Sequence, residues 1–139
     1  MRSKAPLSVI EQLVMLLIFA LAAAVCLRAF AWADTISRHS RDCDRALTRA
    51  QSAASVIRQT RGDVHAAAEL MGGSVREGSL IIRYDENWDT KEGGEILLKV
   101  TPVDTKVALL GRAGVSVERD GEWLAMLDVM WQEVAADEE

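Results

Sequence analysis

Between Leu7 and Leu27 the chain reads LSVIEQLVMLLIFALAAAVCL, and Glu11 is the single charged residue in it. As a helix, those residues would extend about 31 Å, close to the roughly 30 Å hydrocarbon thickness of a bilayer. Leu13, Leu16, Leu17, Phe19 and Leu21 would crowd its surface. A small soluble domain has no use for so apolar a rod. It must face lipid, be covered by other chains, or be removed as a secretory signal. The signal-peptide reading takes Arg2 and Lys4 as the basic region, Leu13 to Leu27 as the apolar core, and Ala29-Phe30-Ala31 or Ala31-Trp32-Ala33 as the cleavage site. Arg28, Phe30 and Trp32 crowd that site, and Trp32 suits a membrane interface. A lipoprotein site fails at bulky Val25 before Cys26. Glu11 costs about 2.5–3.5 kcal/mol if held at mid-bilayer, less near an end, so it calls for headgroups, water or a partner.

Counting basic residues on each side does not orient the segment. Arg2 and Lys4 precede it, while Arg28, Arg38 and Arg41 follow it. From Asp34 onward there are 13 Lys/Arg against 20 Asp/Glu, unevenly placed. Residues 34–61 carry six Arg and three Asp, whereas residues from Gly62 onward carry seven basic and seventeen acidic side chains. Nucleic acid is therefore not expected as a partner of the C-terminal part, since phosphate contacts need a basic surface. The basic segment and the acidic body are either two solvated surfaces or surfaces by which copies attract one another.

After the apolar run, Ile36, Cys43, Leu47, Ala50, Ala54 and Ile57 recur at helical spacing. Neither Pro nor Gly interrupts residues 7–61, and Gly62 stands where a helix C-terminal glycine belongs. One helix of about 55 residues, roughly 80 Å long, is expected; a joint near residues 28–33 is the alternative. Asp63 can cap a short second helix, VHAAAELM, closed by Gly72-Gly73. From Ser79 the alternation is that of strands: Leu80/Ile82/Tyr84, then Ile96/Leu98/Val100 with Pro102 ending the strand. Gly111 and Gly114 suggest a bulge or bend before Val115-Ser116-Val117. Asp120-Gly121 signals a two-residue hairpin. Residues 122–134 mix helix and strand preferences, and the hairpin favours strand. The acidic tail Ala135–Glu139 is expected to fray.

The expected fold is α+β, a long N-terminal helix, transmembrane and then amphipathic, packed on a small antiparallel sheet of about four strands. Its parts are a basic leader (1–6), a transmembrane helix (7–33), an amphipathic continuation (34–61), and a short helix plus sheet domain (62–139). The stripe Ile36, Cys43, Leu47, Ala50, Ala54, Ile57 would cover the sheet.

Leu7-Ser8-Val9-Ile10-Glu11, followed by Gln-Leu-Val-Met-Leu-Leu-Ile, resembles the N-terminus of type IV pilins and the pseudopilins of type II secretion systems. In that family a short basic cytoplasmic leader precedes a hydrophobic residue, with a Glu at the fifth mature position ahead of an apolar helix. The resemblance implies a processing site at Pro6–Leu7, with Pro6 standing where the family carries Gly, and a prepilin peptidase as a partner. It implies that Glu11 sets the register between subunits by meeting a neighbour's N-terminal amine. It also implies a filament subunit in contact with membrane lipid and with other pilin-like subunits or copies of itself. The alternative is a single-pass or signal-cleaved binding domain with no filament. The expected location is the cell membrane, single-pass, with the C-terminal domain extracytoplasmic; a cleaved signal would instead release that domain.

No catalytic constellation emerges, and no cofactor is expected. His39 and His65 lack a nucleophile or metal-ligand neighbour at useful spacing. Asp85, Asn87 and Asp89 open like a calcium loop, but Thr90 stands where Gly is needed and Ile96 where Glu is needed; an acidic hairpin loop is the stronger reading. Trp88 within it either folds back onto the sheet or presents an exposed contact. Cys26 and Cys43 are too far apart along a helix to bridge. Cys26 reads as apolar surface and Cys43 as core or as a link between subunits.

Overall fold

The computed structural model describes residues 5–133; residues 1–4 of the basic leader, and residues 134–139 with the acidic tail, lie outside the described residues. The chain divides into two compact units, 1–40 and 41–139. A single helix, α1 (Ala5–Gln59), contributes to both. Pro6 falls in its first turn, where a missing N–H costs no helical bond. In residues 6–40 every side chain is exposed.

The second unit holds the rest of α1 with α2 (Val64–Met71), β1 (Ser74–Arg76), β2 (Ser79–Tyr84), β3 (Ile96–Val103), β4 (Leu110–Arg119) and β5 (Glu122–Gln132). The five strands form one antiparallel meander in the order β1-β2-β3-β4-β5. The α+β architecture is as expected, with five strands in place of four.

Local chemistry explains the turns. Arg61 and Gly62 take positive φ, and the Gly62 N–H donates to the Ile57 carbonyl at 2.9 Å, closing α1. Asp63 Oδ1 then accepts from the His65 and Ala66 amides at 2.9 and 3.1 Å, capping α2, which Gly72 ends in the left-handed region. Asp120 and Gly121 both have positive φ and join the paired Arg119 and Glu122. Glu77 and Gly78 do the same between Arg76 and Ser79, making a second hairpin and with it β1.

Register puts one set of side chains on the covered face. Leu80, Ile82 and Tyr84 oppose Val100, Leu98 and Ile96; Val115 and Val117 oppose Val100 and Leu98 on the other side. Val129 and Trp131 complete this face on β5. Against it α1 buries Ala46, Ala50, Ala53 and Ile57, all with no exposed surface.

The expected packing stripe is therefore rotated. Ala50 and Ile57 are buried as expected, Ala54 is partly buried and Cys43 half-buried. Leu47 is 43% exposed, and Ile36, in the first unit, is 51% exposed; neither belongs to the core. The reason is volume. The sheet already supplies large side chains, so the helix presents the methyls of its alanines and turns Leu47 to the margin.

Two further expectations are corrected. Pro102 does not end β3 but pairs with Ala113 inside it. The β2 ladder stops at Val100, so a residue without an N–H there forfeits no bond on that side. The bulge lies not at Gly111 or Gly114 but between Val117 and Glu118, opposite Leu124. Gly111 instead leaves room for Trp131, since a Cβ there would collide with the indole.

Candidate functional site

The first candidate is the apolar part of α1. Leu7, Leu13, Leu16, Leu17, Phe19, Leu21 and Leu27 are all exposed, as are Phe30 and Trp32. The helix is long and apolar enough to cross a membrane, and among the described residues nothing buries that stretch. Glu11 is exposed on this surface, the lone carboxylate within the span. Pro6 and Leu7, the candidate processing site, are already helical.

The second candidate is the junction of α1 with the loop after β2. Asp85 Oδ1 accepts from the Asn87 and Asp89 amides at 2.9 and 3.1 Å, and the Trp88 amide donates to the Asp85 carbonyl. This tight turn forces Trp88 to a positive φ of 66° and tucks its indole into the core, against Tyr84 at 6.1 Å between ring centroids. Arg49 completes the clasp. Its Nη2 donates to the Trp88 carbonyl at 3.0 Å, and its guanidinium lies 5.2 Å from the centre of the Tyr84 ring. Burial pushes the Tyr84 hydroxyl above its ordinary pKa, with the Arg49 charge acting weakly the other way.

Trp88 thus folds back onto the sheet. Asp85 spends one carboxylate oxygen on its own turn, and among the described residues no three His, Cys, Asp or Glu side chains converge to hold a metal ion. The Asp85–Asn87–Asp89 segment acts as a scaffold for Trp88. His65 is exposed on α2. No disulfide joins Cys26 to Cys43.

Sequence reasoning counted Arg49 only among the six arginines of the basic segment, and it missed two other ties. Asp42 on α1 and Arg119 at the end of β4 form an ion pair of 2.6 Å, about three-quarters buried. Trp131 on β5 lies against Gly62 and Gly111, each of which would collide with its ring if it carried a Cβ. The two glycines were legible as turn or bend residues. Their role as a slot for one indole needed the fold.

The third candidate is the uncovered side of β5. Trp123, Met126 and Met130 lie on the sheet face opposite α1 and are 56, 65 and 48% exposed. Across from them on β4 stand Glu118, Ser116 and Arg112, and Arg112 is paired with Asp128 at 2.5 Å.

No protein-family model, curated protein or solved structure matches this chain. Its function must therefore be argued from these three surfaces. Among the described residues the first carries the longest run of exposed large apolar side chains.

Proposed function

We propose that this chain is a structural subunit of a type IV pilus or type II secretion-like filament, a minor pilin or pseudopilin-like protein. It sits in the membrane through residues 7–27 and assembles through α1. The observation that carries this reading is the exposed apolar stretch 7–27 of α1 with Glu11 as its only charge, in the same helix whose later turns are locked to a sheet. A plain anchor needs no carboxylate in its span. A subunit does, because a costly unpaired charge in lipid penalises every register except the one that pairs it.

Glu11→Ala is expected to leave the protein membrane-inserted and folded while reducing its incorporation into filaments about tenfold or more. The readout is filament-associated protein relative to total membrane-bound protein. Normal incorporation of Glu11→Ala would sink the registration role. Intact mass of protein made in its native host tests the route. A chain beginning at Leu7 supports peptidase processing after Pro6, and one beginning near Asp34 means a cleaved signal.

A further inference from the structure

Helix α1 has one weak stretch. Asp34-Thr35-Ile36-Ser37-Arg38-His39-Ser40 contains a single strong helix former, Arg38, whereas every other run of seven residues in Ala5–Gln59 contains at least two. The remaining six residues lose side-chain freedom in a helix or, as Asp, Ser and Thr do, offer the backbone a competing hydrogen-bond partner. Thr35 is already so engaged, its hydroxyl donating to the Ala31 carbonyl at 3.0 Å. A core can hold such residues helical, but all seven side chains are exposed, and the first half-buried one is Asp42. The pair of Arg38 with Asp34, at 2.9 Å one turn apart and largely in water, is a weak tether.

The turns that flank this stretch are different in kind. Before it come the apolar residues 7–27 with Phe30 and Trp32, and after it come Ala46, Ala50, Ala53 and Ile57, sealed under the sheet. We propose that residues 34–40 form a joint in α1, opening from helix to coil while the turns on both sides stay closed. Local opening is opposed by backbone bonds and by the packing that covers them, and this segment has the first without the second. Helical order propagates from one residue to the next, so a break at the joint uncouples the two parts. A disturbance of the apolar stretch is then not passed along the backbone to the helical residues of the core. This joint does not depend on the filament reading.

The test is site-resolved amide exchange on the full chain in nonionic detergent, with the melting temperature of the sheet as a second readout. Amides of residues 36–42 are expected to exchange about tenfold or more faster than those of residues 46–57. Ser37→Ala combined with Ser40→Ala, both at exposed positions, should slow exchange at 36–42 about fivefold. Ser37→Gly combined with Ser40→Gly should speed it by about the same factor. Neither pair should alter exchange at 46–57 or the melting temperature. Exchange at 36–42 as slow as at 46–57 would overturn the proposal. So would a glycine pair that speeds exchange at 46–57 or lowers the melting temperature, because α1 would then open as a single unit. Rates at 36–42 that ignore both pairs would overturn it too, since helix preference would not then govern the opening.

Discussion

Along α1 the large apolar side chains of the first half are uncovered, and apart from Ile57 the fully buried ones of the second half are small. Residues 7–32 display leucines, Phe19, Phe30 and Trp32 outward, while Ala46, Ala50 and Ala53 are sealed against the sheet. A helix that served only its own fold would place its bulk inward. The contrast teaches that the two stretches answer to different surroundings. The later turns are shaped to a sheet that brings its own volume, and the earlier ones carry apolar area for something outside the chain.

That comparison can be broken most directly by truncating one residue in each stretch. Ile57→Ala, at a position with no exposed surface, should lower the unfolding free energy of the sheet unit by about 2–5 kcal/mol. Leu17→Ala, on the uncovered stretch, should change it by less than about 0.5 kcal/mol. Chemical denaturation in detergent, followed by tryptophan fluorescence, reads both. Equal effects would mean that the apolar stretch packs within the chain after all.

A smaller effect comes from the ion pair that ties the later turns to β4. Asp42→Ala should cost about 1 kcal/mol, because it leaves the Arg119 guanidinium partly buried without its carboxylate. Most of that loss should persist in high salt, since the pair is shielded from solvent.

Smallest in range is a pH effect at Tyr84. Burial keeps its hydroxyl protonated in the folded state at pH values where the unfolded chain has already released the proton. Its contribution is thus complete below about pH 10 and is lost as pH rises toward the higher folded value. Unfolding curves between about pH 9 and about pH 11 should show this decline, and Tyr84→Phe should flatten it.

Much of the architecture was written in short-range chemistry. The absence of Gly and Pro through residues 7–59 set the length of α1, Asp63 marked the start of α2, and Asp120-Gly121 marked the last hairpin. What could not be read was phase and distance. The expected stripe Ile36-Cys43-Leu47-Ala50-Ala54-Ile57 and the buried set Ala46-Ala50-Ala53-Ile57 share two members, and only the volume of the opposing sheet chooses between them. β1 is too short for an alternation to register, and Glu77-Gly78 is a weaker turn signal than Asp-Gly. Asp42 and Arg119 are 77 residues apart, with no local mark of their pairing. Of the candidate sites, Glu11 announced itself as a lone charge in an apolar run. The exposed face of β5, with Trp123, Met126 and Met130, was invisible until the register with β4 set which side chains face away from α1.

The slot formed by Gly62 and Gly111 has a consequence for the order of events during synthesis. Its occupant, Trp131, leaves the ribosome only after α1, α2 and strands β1 to β4, so the end of α1 and β5 cannot be joined before then. The apolar stretch emerges long before the sheet has a full set of strands to fold with. Residues 7–27 must therefore meet their surroundings before the sheet unit is complete.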